Sequence, residues 1–329
     1  MRGLVRSTVT AAVAVLTLLA MAPAASADRL WLYGDLTAHD PALVHGTNGD
    51  DWYVFSTGDG NVADGTIQIR SSRTGRFWRS AGTVFDAKPA WLSQEVPGVS
   101  NLWAPEVHYN DGTYYLYYAA STFGSNRSVI GLATNTTLDP DHPDYHWVDR
   151  GMVTESFTSD NYNAIDPGVV EDANGTPWLA FGSFWSGIRM LQLEWPSGKP
   201  APGQSEPLHI ADRQQPPNAI EAPHIVRRNG WYYLFVSFDH CCQGADSDYK
   251  IAVGRSRSVT GPYVDRDGRS MLNGGGTVLL AERGDEVGSG GQSVSGPYIA
   301  YHSYGSDGGF RLNIETLQWT ADGWPQLDT

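Results

Sequence analysis

Asn163-Ala-Ile-Asp-Pro-Gly-Val-Val-Glu-Asp-Ala-Asn-Gly-Thr-Pro-Trp-Leu-Ala-Phe-Gly-Ser-Phe-Trp185 is a short apolar run, a polar turn at Asn174-Gly175 and a second apolar run. Such a pattern reads as a hairpin. One acid, Asp166, stands at its mouth, directly before Pro167. The same pattern recurs along the chain. Earlier copies are His39-Asp-Pro-Ala-Leu-Val leading to Trp52-Tyr-Val-Phe-Ser, and Trp103-Ala-Pro-Glu-Val-His-Tyr leading to Tyr114-Tyr-Leu-Tyr-Tyr. Later copies are Glu221-Ala-Pro-His-Ile-Val leading to Trp231-Tyr-Tyr-Leu-Phe, and Gly291-Gln-Ser-Val leading to Tyr298-Ile-Ala-Tyr-His. Further β-rich runs follow each copy, for example Val129-Ile-Gly-Leu-Ala-Thr and Lys250-Ile-Ala-Val-Gly-Arg. A unit of three or four strands cannot bury both its faces alone, but five units around an axis can. The spacing therefore predicts an all-β chain folded as a five-bladed β-propeller. A β-sandwich with coincidental Gly-Trp-Tyr turns is the alternative.

The chain begins with a basic pair, Arg2 and Arg6, an apolar run from Val9 to Ala20 and the small-residue site Ala25-Ser-Ala27. That is the pattern of a secretory signal peptide over residues 1–27, too short to anchor in a membrane. Residues 28–329 are then expected to form one propeller, secreted and monomeric. Loss of Arg2 and Arg6 makes the net charge of −14 more negative by two. An acidic chain is a poor partner for nucleic acid, whose binding needs Lys and Arg against phosphates. The segment from Lys199 to Pro217, rich in Pro and Gln, reads as a surface connection between the third and fourth units. Cys241 and Cys242 are the only cysteines and are adjacent. The sequence leaves open whether they form a vicinal disulfide or remain two thiols.

Three acids occupy matching places. Asp40 and Asp166 precede Pro41 and Pro167 directly, while Glu221 stands one residue earlier, before Ala222-Pro223. In a propeller, such positions converge on one end of the axis. Converging carboxyls in opposite protonation states are what glycoside hydrolysis requires. A third negative charge raises its neighbour's proton affinity and keeps the two different. Trp103 enters the second unit where the acids enter others, and Trp185 closes the quoted stretch, so both are candidates to stack on sugar rings. His39 adjoins Asp40, and His302 in Tyr301-His-Ser-Tyr304 should face the axis. No zinc-type spacing is present, and a hard ion would prefer oxygen ligands to a lone histidine.

Asp40-Pro41, Trp103-Ala-Pro, Asn163-Ala-Ile-Asp-Pro, Gly182-Ser-Phe-Trp185, Glu221-Ala-Pro and Tyr301-His302 together resemble glycoside hydrolase family 43. Cys241-Cys242-Gln-Gly, Tyr249-Lys-Ile-Ala-Val-Gly-Arg-Ser and Gly274-Gly-Gly-Thr-Val-Leu-Leu narrow the resemblance to its endo-α-1,5-L-arabinanases, from about Gly34 to Pro325. The resemblance implies an inverting enzyme acting on arabinan. Asp40 is then the general base, Glu221 the general acid, and Asp166 the residue that raises the pKa of Glu221 and orients it. It also implies substrate contacts from His39, Trp103, Asn163, Ser183 and Trp185, and a calcium ion held through His302 and waters. Two positions depart from the usual pattern: Glu106 stands where arabinanases often have Asp, and Gln292 where they often have His. An exo-acting arabinofuranosidase, or a xylan-directed relative, is the alternative enzyme. Blockage by a loop such as Asp139–Trp147 or Ala281–Gly291 would produce exo action. A non-catalytic sugar-binding propeller is the alternative outside catalysis.

Overall fold

The computed structural model describes Gly3 and residues 29–46, 50–204 and 206–327. The signal-peptide expectation falls outside the described residues. Five antiparallel sheets follow one another along the chain, and their first strands are Ala42–Val44, Leu102–Asn110, Gly168–Glu171, Ile220–Arg228 and Val287–Ser295. Each of these touches the next in the series, and Val287–Ser295 touches Ala42–Val44, which closes the ring. The five-bladed propeller expected from the repeats is the fold of the chain.

The second strands are the aromatic runs read from the sequence: Trp52–Ser56, Thr113–Ala120, Pro177–Phe181, Trp231–Phe238 and Tyr298–Tyr304. They are buried almost throughout because both faces of an inner strand pack on neighbouring sheets. That explains why Tyr114-Tyr-Leu-Tyr-Tyr and Trp231-Tyr-Tyr-Leu-Phe are continuous apolar runs instead of alternating ones. Phe55 meets Trp147 edge-on at 5.7 Å, and Trp147 carries the end of the Asp139–Trp147 loop into the core. Leu208–Ala211 pairs with Ile188–Glu194, so the Lys199–Pro217 segment is more than a connection: it supplies an outer strand of blade three. The Ala281–Gly291 segment likewise runs into the first strand of blade five at Val287.

The ring closes between blades five and one. Ser293 Oγ accepts from Leu43 N–H at 3.0 Å and donates to Pro41 O at 2.6 Å. Tyr33–Gly34 runs parallel to the outer strand Phe77–Thr83 of blade one, while Leu30 N–H donates to Ile314 O of blade five. Residues 29–36 thus lie along the seam between the first and last blades.

One backbone feature positions the site. Asp40, Ala104, Asp166, Ala222 and Gly291 all have positive φ, at 50°, 41°, 57°, 52° and 60°. They are the corresponding residues of the five blades, and the first four precede proline. Residues before proline ordinarily stay extended, and non-glycine residues seldom adopt positive φ. In blades two, four and five the register of the first strand slips at this point. The five kinked residues meet at the axis, where they line one small space together. Gly291 is required here, since a Cβ would lie 2.6 Å from Asp40 Oδ1.

Candidate active site

The kinks bring Asp40, Asp166 and Glu221 from blades one, three and four to one end of the axis. Asp40 and Asp166 are themselves the kinked residues, whereas in blade four the kink is Ala222 and the acid precedes it. This accounts for the one-residue offset of Glu221. Trp103 holds the place of Glu221 in blade two, and is half-buried. Below the acids is a narrow passage of about 30 Å³, lined by Asp40, Glu106, Asp166, His224 and Gln292 among others. It leads toward a cavity of about 400 Å³ that shares Glu106, His224 and Ser293 and is otherwise lined by residues further along the first strands. None of the three carboxylates lines the larger space.

Asp40 is held from several sides. Its Oδ2 accepts from His39 Nδ1 at 2.8 Å and from Thr57 Oγ1 at 2.6 Å. Thr57 in turn accepts from Ala104 N–H at 2.9 Å, which ties Asp40 of blade one to the kink of blade two. Burial opposes ionisation of Asp40, yet the His39 and His302 rings and the Thr57 hydroxyl outweigh it and hold the carboxyl well below its usual range. Burial pushes the His302 pKa well down, with the neighbouring His39 acting in the same direction. His302 is therefore neutral, and the support for the Asp40 carboxylate comes chiefly from His39 and Thr57.

Glu221 and Asp166 are the opposite case. Burial raises the Glu221 pKa, and Asp40 adds to the effect, although Ser183 and Tyr249 hydroxyls donating to the carboxylate oppose it. Ser183 Oγ donates to Glu221 Oε2 at 2.5 Å. Asp166 is pushed well above the carboxylate range by burial, then by Glu221 and Asp40. Its Oδ2 accepts from Ala222 N–H at 3.1 Å, adjacent to Glu221. Two buried carboxyls that repel one another hold a proton between them. The cluster therefore separates into one ionised carboxylate and a proton-holding pair.

The remaining expected residues have varied places. Ser183 is buried and hydrogen-bonded to Glu221. Asn163 is buried, and its Oδ1 accepts from Ser128 Oγ at 2.7 Å, so it serves the junction of blades two and three. Trp185 stands in the loop after Pro177–Phe181, not in a strand, and is 39% exposed at φ 42°. His39 is stacked on His302 with ring centroids 3.7 Å apart. His302 is fully buried; Asp40 N–H donates to its Nδ1 at 3.2 Å, and Asp40 Oδ1 lies 3.6 Å from it.

His39, Asp40 and His302 form a group whose donor atoms are close enough to share a metal ion. His302 Nε2 is buried with no hydrogen-bond partner among the described residues, and the ring is neutral, so the nitrogen suits an ion or a water. Ligation through Nε2 requires the tautomer with its proton on Nδ1, which gives up the bond from Asp40 N–H and turns Nδ1 into a donor toward Asp40 Oδ1. One imidazole and one carboxylate leave most of a calcium shell to water. The donor set fits the ion on those terms.

Both departures from the usual pattern lie in the passage. Glu106 Oε2 faces His224 Nδ1 at 3.5 Å, and its Oε1 accepts from Val169 N–H at 3.3 Å. Burial would keep His224 neutral, but Glu106 reverses this and raises its pKa. Gln292 accepts from Ser237 Oγ at 2.8 Å and donates to Ala222 O at 2.7 Å, bracing the backbone beside Glu221.

Sequence reasoning missed Thr57, Tyr304 and Phe310. A signal existed for the first: a hydroxyl lies within two residues of the end of the second strand in every unit, at Thr57, Ser121, Ser183, Ser237 and Ser303. Phe310 meets His39 edge-on at 5.1 Å and is 37% exposed, which puts an aromatic beside Asp40 from the third strand of blade five. The vicinal disulfide left open by the sequence is formed between Cys241 and Cys242.

The model of glycosyl hydrolases family 43 matches residues 34–325. The extracellular endo-α-(1→5)-L-arabinanase 1 of Bacillus subtilis (strain 168) is 42% identical over 308 residues, covering 92% of this chain and 91% of that protein. The extracellular exo-α-(1→5)-L-arabinofuranosidase ArbA of Cellvibrio japonicus (strain Ueda107) is 40% identical, covering 88% and 86%. Among solved structures, an endo-arabinanase from Bacillus licheniformis superposes with a TM-score of 0.84 at 42% identity, covering 90% of this chain and 99% of that one.

Proposed function

The chain belongs to glycosyl hydrolases family 43, and on that footing we propose that it is an endo-arabinanase cleaving the α-1,5-L-arabinofuranosidic bonds of arabinan with inversion. The carrying observation is the division of the carboxyl cluster, with Asp40 held ionised and Asp166 and Glu221 pushed toward the protonated form. Asp40 is the general base. Both hydrogen bonds to it fall on Oδ2, which leaves Oδ1 to take a proton from water as the water oxygen attacks the anomeric carbon. Glu221 is the general acid, and gives its proton to the departing glycosidic oxygen. Asp166 raises the proton affinity of Glu221 and fixes its backbone through Ala222 N–H. An inverting pair needs room for water, with carboxyls roughly 6.5–9.5 Å apart.

His39 orients the base and Ser183 the acid, while Asn163 ties blade three to Ser128 of blade two. Trp103 and Trp185 supply faces for sugar rings. A calcium ion at His302, completed by waters, would add positive charge near the carboxylates. We further infer a secreted, monomeric protein with residues 1–27 removed as a signal peptide. This agrees with the extracellular relatives and with the absence, among the described residues, of any helix long and apolar enough to cross a membrane. Exo action on the same polymer is the second reading, because the exo-acting relative is nearly as similar as the endo-acting one.

The roles are tested with two variants. Glu221→Ala should lose at least about 10²-fold in kcat on arabinan, yet keep turnover of aryl arabinosides whose leaving group needs no proton. Asp40→Ala should lose both. Substantial turnover of the aryl substrate by Asp40→Ala contradicts its role as base.

A further inference from the structure

The loop between Trp231–Phe238 and Lys250–Ser256 of blade four carries the disulfide Cys241–Cys242 across to blades five and one. Cys242 N–H donates to Tyr304 Oη at 2.9 Å, and Tyr304 Oη lies 2.7 Å from His39 Nε2. His39 Nδ1 donates to the Asp40 carboxylate; in the neutral ring Nε2 then accepts from the tyrosine hydroxyl, and in the protonated ring it donates to it. In either form the hydrogen bonds make one unbroken series, from the Cys242 amide through Tyr304 and His39 to Asp40. Cys242 Sγ also lies 3.9 Å from His39 Nε2.

Stacking on His302 does not by itself orient the His39 ring. A stacked imidazole can flip in its own plane, which exchanges nitrogen for carbon at both edges. The flip would put carbon against Asp40 Oδ2 and against Tyr304. The hydrogen bonds at the two ends oppose it, and Tyr304 makes one of them. The aim of Tyr304 depends in turn on the Cys242 amide. Cys242 has φ 68°, a conformation costly to a residue with a Cβ and kept only where its surroundings impose it. The covalent ring closed by the two sulfurs, with Gln243 N–H on Ser247 Oγ at 3.1 Å and His240 N–H on Asp248 Oδ1 at 2.8 Å, imposes it.

We propose that the Cys241–Cys242 turn is a positioning device of the active site, acting through Tyr304 on the His39 ring that holds Asp40. The enzyme's turnover then depends on the oxidised state of this disulfide, although neither sulfur touches the reacting bond. The inference rests on Asp40 being the base. Reduction by a water-soluble phosphine gives two thiols; the phosphine is oxidised to its oxide, and water supplies the oxygen and the two protons.

The test is kinetic, on folded protein. Wild type and Tyr304→Phe are assayed on linear arabinan before and after phosphine treatment, with thiols titrated and the fold followed by near-UV circular dichroism. Reduction of wild type to two thiols should lower kcat about tenfold, the equivalent of one hydrogen bond to a charged network, with KM within about twofold. Tyr304→Phe should show a similar loss while oxidised and no further loss on reduction, since both changes cut the same series. Unchanged kcat in fully reduced, folded wild type overturns the proposal. Equal further loss in Tyr304→Phe also overturns it, because the two sites would then be independent. Should oxidised wild type fail to turn over arabinan at all, the proposed function fails instead.

Discussion

Removing the Ser183 hydroxyl, in Ser183→Ala, tests the assignment of Glu221 as the proton donor. Ser183 Oγ donates to Glu221 Oε2 at 2.5 Å in a buried setting. A hydrogen bond given to a carboxylate favours its ionised form, and one made to a charged group is worth about 1.5–3 kcal/mol. Each 1.4 kcal/mol or so is a tenfold change in proton affinity. Without Ser183, Glu221 should therefore bind its proton about tenfold more tightly or more. The Glu221 pKa already lies above its ordinary value through burial, so the loss adds to an existing shift. The sign follows directly. A general acid works only while protonated, so kcat/KM falls as pH rises through its pKa. A higher pKa moves that alkaline limb to higher pH. The acidic limb, set by Asp40, should stay where it is. The assay is kcat/KM on arabinan oligosaccharides across pH, beside wild type. An alkaline limb that stays put, or moves to lower pH, refutes the account of Glu221.

Replacing Asp166 by Asn removes the carboxyl with which Glu221 shares a proton, so the alkaline limb should fall to lower pH, as pH–rate profiles will show. Glu106→Ala lets burial return His224 to its neutral form and takes an acceptor from Val169 N–H, and should cost about 1–3 kcal/mol of stability, measured by denaturant unfolding. Chelation followed by calcium titration should show calorimetric binding that His302→Ala lacks; equal binding by the variant sends the ion elsewhere. Phe235→Ala, fully buried in blade four, should cost about 3–5 kcal/mol without altering the pH profile of the protein that remains folded.

Much of the architecture was legible because a propeller writes itself as a repeat. The turns at Asn174-Gly175 and Asn229-Gly230 and the aromatic second strands mark each blade, and the acids follow from their phase. The kinks were not legible. Asp40, Ala104, Asp166 and Ala222 precede proline, which by local rules predicts an extended backbone, but the sheet register holds them at positive φ. The offset of Glu221 was visible as a number and had no cause until the kink at Ala222 was seen. Thr57 and Tyr304 were hidden for another reason. Thr57 joins Asp40 of its own blade to Ala104 of blade two, and Tyr304 of blade five joins His39 of blade one to Cys242 of blade four, and sequence phase does not report which side chains meet across a seam. Leu208–Ala211 was missed as a strand because a short outer strand carries little apolar signal.

The central claim is inverting, internal cleavage of arabinan by one base and one acid. It is met most directly by following products from linear α-1,5-arabinan over time, with chain length and anomeric configuration read together. The account predicts a mixture of oligosaccharides from the first minutes, each with an inverted new reducing end. Retained configuration would contradict the roles of Asp40 and Glu221, and arabinose or a single short product from the outset would contradict internal cleavage.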